Sequence, residues 1–144
     1  MSESLNPTSP ASPPEFEASS ASVTDVGSGP NDLTLLTLSG SRALKFADLI
    51  IVDPTTDVVH VRALVPAHAQ SRVSKREDDA NQILRAVAQG LKVVRLHCGD
   101  YFTDADADSV LADVLAQAGH HSNVVPGVNR WSAALSYGAV TASA

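Results

Sequence analysis

Four consecutive apolar residues, Leu49-Ile50-Ile51-Val52, constrain this chain more than any other stretch. Side chains along a strand alternate between two faces, so a run with no polar position needs apolar cover on both. A parallel sheet layered by helices supplies that cover. A second run, Val93-Val94-Arg95-Leu96-His97, has the β-branched content of another strand and leads into Cys98-Gly99-Asp100-Tyr101-Phe102. In open α/β sheets, ligands bind just past the carboxyl ends of strands, which makes this glycine-containing loop the first candidate site.

The rest of the chain alternates in the same way. Val23 to Val26 reads as a short strand, followed by the turn Gly27-Ser28-Gly29-Pro30-Asn31-Asp32, in which Asn31 or Asp32 can cap a helix. Leu33 to Phe46 carries helically spaced apolar residues, weakened in the middle by Gly40. Val58, Val59 and Val61 suggest a further strand, with His60 and Arg62 pointing the other way. Glu77, Asp78 and Asp79 open a helix with an Ala80, Ile83, Leu84, Val87, Ala88 stripe, stopped by Gly90. Asp106 to Ala118 is a second helix ended by Gly119. Val124-Val125 is the last strand, and Pro126-Gly127 turns it into the segment from Asn129 to Tyr137. The expected fold class is α/β, a mostly parallel sheet with helices on both faces.

The 144 residues suit one such domain preceded by a tail. Residues 1–22 contain Pro7, Pro10, Pro13 and Pro14 amid serines, and the first lysine or arginine is Arg42. Such a segment buries too little apolar surface to offset its ordering entropy, and without positive charge it is no targeting signal. No run is long enough to span a membrane. Net charge is −6 and the ten basic residues form no block, which argues against nucleic acid as a partner. The single cysteine, Cys98, excludes an internal disulfide and suits a reducing cytoplasm.

Other chemistry-bearing residues have plainer readings. Cys98 has no obvious base beside it in sequence, so it reads as a small packed residue. Asp104, Asp106 and Asp108 mimic the start of a calcium loop, but Ser109 and Leu115 replace its glycine and glutamate; surface acids capping a helix are the expectation. His120-His121 point apart and lack companion ligands, so no metal site is expected. Trp131 is expected to be a packing residue and not a stacking platform, and an apolar surface on the side of Trp131 and Leu135 would mark association.

Read in order, the Gly29-Pro30-Asn31-Asp32 turn, Leu35-Leu36-Thr37-Leu38, Ala47-Asp48, the strand ending in Asp53, Gly90, Val93-Val94-Arg95-Leu96, Gly99-Asp100, Phe102 and Val124-Val125-Pro126-Gly127 resemble the amino-terminal domain of the tetrapyrrole methylases. The likeness is strongest to the uroporphyrinogen-III C-methyltransferases of the sirohaem and cobalamin pathways and runs from Val23 to about Tyr137. It implies residues 23–144 as the amino-terminal α/β half of a two-domain enzyme that folds S-adenosylmethionine into the cleft between halves. By the same resemblance Pro30, Cys98, Gly99, Asp100, Asn129 and Arg130 fall at donor-binding positions. Asp53 matches a proton acceptor and Lys75 a proton donor, although Asp53 before Pro54 also reads as a strand-ending turn residue.

The chain departs from the family pattern at several of these positions. Gly-Pro-Gly-Asp-Pro has become Gly29-Pro30-Asn31-Asp32-Leu33, and Gly-Gly-Asp-Pro-Phe has become Cys98 to Phe102. Arg130 and Trp131 replace small residues, and the second domain is absent from the sequence. The expectation is therefore a cytoplasmic, divergent homologue acting on a tetrapyrrole, weak or inactive as an isolated chain, with a homo-oligomer or a separate partner domain completing it. The alternative is a non-catalytic relative serving as a binding or assembly module.

Overall fold

The computed structural model describes residues 21–104, 109–139 and 141. The expected tail therefore lies almost wholly outside the described residues, as do Asp106 and Asp108. Five strands, β1 (Val23–Gly27), β2 (Leu49–Val52), β3 (Gln70–Val73), β4 (Val93–His97) and β5 (Ser122–Val125), form one sheet in the order β3-β2-β4-β1-β5. Every pairing is parallel, as the apolar run of β2 demands.

The described residues also form five helices: α1 (Leu38–Lys45), α2 (Val58–Arg62), α3 (Arg76–Ala88), α4 (Ser109–Gln117) and α5 (Arg130–Tyr137). The period of two divides the core between the faces. Val23, Leu49, Ile51 and Val93 pack with Ile83 and Val87 of α3 and Leu111 and Leu115 of α4. Val26, Ile50, Val52, Val94 and Leu96 pack with Leu44 of α1 and Val61 of α2. Strand connections running toward β3 thus place helices on one face and those running back place them on the other, as right-handed crossovers require.

Three expectations need correction. Val58 to Val61 is the helix α2, not a strand. Asp57 Oδ1 accepts the Val59 N–H at 2.9 Å, and a helical turn is what lets Val61 enter the core, with Val58 packed beside it, while Val59 stays exposed. The third strand is Gln70–Val73, an edge strand whose mostly polar residues carry no periodic apolar signal. The segment from Leu33 to Phe46 breaks into a 3-10 turn (Leu33–Leu35), capped by Asp32, and then α1, where Thr37 Oγ1 accepts the Gly40 N–H at 3.0 Å. Gly40 packs closely there: a methyl group on it would stand 3.0 Å from Val26 Cγ1, tighter than ordinary contact.

One charged cluster is buried in the α3/α4 face of the sheet. Asp25 and Arg95 are register partners on β1 and β4, and Arg95 Nε lies 2.6 Å from Asp25 Oδ1. The same oxygen lies 2.7 Å from His97 Nε2. Tyr101 closes the group, its ring 4.6 Å from that of His97 and its hydroxyl 3.4 Å from Arg95 Nη2. Removing one partner of a buried pair strands the other charge. Asp25→Ala should therefore lower unfolding free energy in urea by roughly 3–5 kcal/mol, whereas the double replacement Asp25→Leu with Arg95→Met should recover most of that loss.

Candidate functional site

The carboxyl ends of β1, β4 and β5 meet at three glycines. A methyl group on Gly27 would stand 2.6 Å from the Gly99 carbonyl oxygen and 2.7 Å from the Gly127 nitrogen, and one on Gly127 would strike the same backbone. Only glycine permits this convergence. It brings the loops after β1 and β4 side by side. Gly99 N–H donates to the Gly29 carbonyl at 2.8 Å and Gly29 N–H returns to the Gly99 carbonyl at 3.2 Å. The fully buried Ser28 fastens the base of this joint: its N–H and its hydroxyl both reach the His97 carbonyl, at 2.7 and 2.9 Å.

Asn31 keeps the shape of the first loop. Its φ is +55°, a left-handed conformation that asparagine tolerates better than most residues, so the turn forms without a glycine there. Its side chain reaches the second loop, where the half-buried Cys98 thiol donates to Asn31 Oδ1 at 3.4 Å. Pro30, Asn31 and Cys98 thus lie together at the surface, over the buried Gly99.

Asp100 and Asp104 bind that surface to the start of α5. Asp100 Oδ1 accepts the Gly127 N–H at 3.0 Å. Asp104 Oδ2 accepts the N–H groups of Asp100 and Arg130, at 2.9 and 3.0 Å, and the Arg130 guanidinium lies along the same carboxylate, Nε 3.6 Å from Oδ1. Asn129 caps α5 by accepting the Ser132 N–H at 2.7 Å. The far end of that helix is tied back as well, Tyr137 donating to Asp32 Oδ2 at 3.4 Å. Hydrogen bonds from the Thr34 hydroxyl and N–H, with that from Tyr137, outweigh desolvation and hold the Asp32 carboxyl below its ordinary range.

The residues singled out in the sequence therefore separate into groups. Pro30 and Cys98 are half-buried at the surface with Gly99 buried between the loops, while Asp100 and Asn129 spend polar groups on Gly127 and Ser132, and the exposed Arg130 side chain lies along Asp104. Asp53 and Lys75 lie farther along the same edge, after β2 and β3. Asp53 Oδ1 accepts the Thr55 N–H and hydroxyl at 2.8 and 2.6 Å, the turn arrangement its Pro54 neighbour suggested, and Oδ2 has no partner among the described residues. Lys75 starts α3 with an exposed side chain, its N–H bonded to Asp79 Oδ1 at 2.9 Å. No ion pair joins Asp53 to Lys75 among the described residues. Trp131 is 70 % exposed, contrary to the packing role expected for it, because the first turn of α5 stands at the rim; Phe102 is 68 % exposed nearby in sequence to Asp104.

Asp104 is the residue that sequence reasoning misassigned. It does accept an N–H at a helix start, but that of Arg130 in α5, 26 positions away, together with one from the neighbouring turn, which local spacing does not reveal. Gly27 and Gly127 were visible only as turn residues after apolar runs. Among the described residues no group of three His, Cys, Asp or Glu could hold a metal ion, and no helix is long and apolar enough to cross a membrane.

The model of the family Tetrapyrrole (Corrin/Porphyrin) Methylases matches residues 22–143. The chain belongs to that family. Its relatives include the siroheme synthase of Mannheimia succiniciproducens, 37% identical over 128 residues, which takes in 83% of this chain and 26% of that protein. Siroheme synthase 1 of Aeromonas hydrophila is 33% identical over 134 residues, covering 88% and 29%. Among solved structures, a cobalt precorrin-4 methyltransferase superposes with a TM-score of 0.74 at 24% identity, over 85% of this chain and 52% of that one, a likeness of fold. The uroporphyrin-III C-methyltransferase of Thermus thermophilus complexed with S-adenosyl homocysteine gives 0.63 at 33% identity, over 81% and 51%. The chain thus spans about a quarter of these siroheme synthases and half of these methyltransferases. The all-parallel sheet with helices on both faces is the fold that the tetrapyrrole methylase resemblance implied.

In this member of the family the Asp104 clamp should be measurable. Burial raises the Asp104 carboxyl, and the N–H donors of Asp100 and Arg130 with the Arg130 charge outweigh it, leaving the group below its ordinary range. A carboxyl lowered in the folded state contributes fully above its unfolded value, about 3.9, and loses that contribution as pH falls through the lower folded value. Asp104→Ala should cost about 1–3 kcal/mol in urea melts at neutral pH, with the gap to wild type closing as pH drops into that acid range.

Proposed function

We propose that the chain is the donor-binding half of an S-adenosylmethionine-dependent C-methyltransferase acting on a tetrapyrrole of the uroporphyrinogen III class. The observation that carries this reading is the reciprocal Gly29–Gly99 pairing, which sets two glycine loops side by side at the carboxyl edge of a tetrapyrrole methylase sheet. A relative of the same fold is described with S-adenosyl homocysteine. The residues fit such a donor: backbone, Pro30 and the polarisable Cys98 form its wall, and the thiol contact from Cys98 to Asn31 that closes the loops is weak and can part.

When bound, S-adenosylmethionine supplies an electrophilic methyl group. The protein's part is to orient it and exclude water. Pro30, Cys98 and Gly99 line the donor; Asp100, Asn129 and Arg130 hold those loops from beneath. Asp53 keeps Oδ2 available to take the proton that a methylated ring carbon must lose. Lys75, one strand over, pairs with the acidic side chains of the macrocycle or returns a proton. Sequence outside residues 1–144, or a separate chain, completes the opposite wall on this reading, and the exposed Phe102 and Trp131 suit such a partner face. The lone thiol and the absence of a membrane-length helix among the described residues accord with the cytoplasm.

The second reading, a non-catalytic binding or assembly module, draws support from Asn129 and Arg130, whose side chains are committed to Ser132 and Asp104. Titration of the 144-residue chain with S-adenosylmethionine, followed by amide NMR, separates the two. Weak binding that shifts the Gly29, Cys98 and Gly99 amides supports a donor site, and Cys98→Gly should tighten it roughly tenfold. No shift at any of these amides in excess donor overturns it. Methyl transfer to uroporphyrinogen III by the isolated chain is expected to be undetectable.

A further inference from the structure

A groove of about 560 Å³ opens beside the amino end of β3, with Arg62, Val65, Pro66, Ala69 and Ser71 in its lining and no acid in it. The groups around it leave several hydrogen-bond donors unspent. Ser71 is the register partner of Ile50, whose side chain packs with Val61 of α2, so the strand period puts Ser71 on the α2 face. Arg62, the last residue of α2, rims the groove from that face, exposed and without an ion-pair partner among the described residues. The side chain of Arg72, in register with Ile51, points to the other face, which leaves Arg62 as the groove's cation.

Gln70 N–H is bonded to the Asp48 carbonyl at 2.9 Å and Ser74 N–H to the Val52 carbonyl at 2.8 Å, both on the β2 side. The Ser71 N–H therefore turns outward, to the open edge of the sheet. Its hydroxyl is buried with no hydrogen-bond partner, an arrangement that destabilises the fold carrying it. Asp48 does not neutralise Arg62, because its carboxylate is spent on the Lys92 N–H and on His68, at 2.8 and 3.0 Å.

We propose that this groove binds a small organic monocarboxylate. The Arg62 guanidinium and the Ser71 N–H hold the carboxylate, and the apolar body lies on Val65, Pro66 and Ala69. A planar guanidinium matches the carboxylate fork, and one cation balances one negative charge, whereas a phosphate dianion would leave a charge unmatched. The apolar wall favours an acid with a hydrocarbon body over a bare ion. A turn of Ser71 about χ1 brings its hydroxyl out to the carboxylate, so the bound state gains a hydrogen bond that the free state lacks. The site is independent of the methyltransferase reading, since it lies at the amino end of the sheet and the glycine loops at the carboxyl end.

Phenylpropionate titrated into the 144-residue chain and followed by amide NMR tests this. It should shift the Ala69, Gln70 and Ser71 amides and bind at least roughly tenfold more tightly than two controls: acetate, which lacks the apolar body, and phenylpropanol, which lacks the charge. Arg62→Gln should weaken phenylpropionate about tenfold and leave phenylpropanol unchanged. Ser71→Ala should have two effects of opposite sign. It raises the midpoint of urea unfolding, because an unpaired buried hydroxyl is gone, and it weakens phenylpropionate roughly threefold. Equal affinity for phenylpropionate and phenylpropanol overturns the proposal, and so does a Ser71→Ala chain that binds phenylpropionate as the wild type does.

Discussion

The structure depends on how closely three backbones can approach at the carboxyl ends of β1, β4 and β5. Gly27, Gly99 and Gly127 meet there with no room for a Cβ at Gly27 or Gly127, and the loops after β1 and β4 inherit their spacing from that contact. Everything on the candidate surface follows. The Gly29–Gly99 exchange of hydrogen bonds, the burial of Ser28 and the alignment of Cys98 with Asn31 all require those strand ends to be in touch. A sheet of this kind holds its strands about 4.8 Å apart along their length, but the closeness of the loops beyond it is set by side-chain size at the exits.

Carboxylates then lock the arrangement. Asp100 holds the β5 exit through Gly127, and Asp104 holds both the β4 turn and the first residue of α5. Beneath them, on the α3/α4 face, Asp25, Arg95, His97 and Tyr101 form a second polar layer inside the sheet. The two layers share β4: His97 closes the buried cluster and Cys98, the next residue, faces the candidate site. A charged pair at register partners resists a slip of β1 against β4, since a shift of β1 by one residue would send Asp25 to the opposite, apolar face and part it from Arg95.

The strands of the sheet interior were legible because burial on both faces writes itself into composition. Leu49–Val52 and Val93–Leu96 are such runs, and the glycine stops Gly90 and Gly119 adopt the positive φ expected of them. The edge strand Gln70–Val73 was not legible, because its identity comes from pairing with β2 and not from its own side chains. Val58 to Val61 misled for the converse reason: β-branched residues sit in a short helix when a cap and one buried side chain decide the matter. At the site, positions next to strand ends were readable, whereas Asp104 acts across 26 residues and leaves no local trace.

The substitutions at the first and fourth strand exits are coupled. Glycine at both Asn31 and Cys98 would leave the two loops joined by backbone alone. Asparagine at the first retains the left-handed turn while adding an amide, and cysteine at the second adds a thiol that meets it. The backbone scaffold is therefore conserved in shape while the space above it is partly taken up by the protein's own side chains. A donor entering there exchanges one weak thiol contact for its own interactions, a small cost compared with rebuilding a loop. A side chain at Gly27 or Gly127 would instead part the strand ends themselves, so that approach tolerates no such filling.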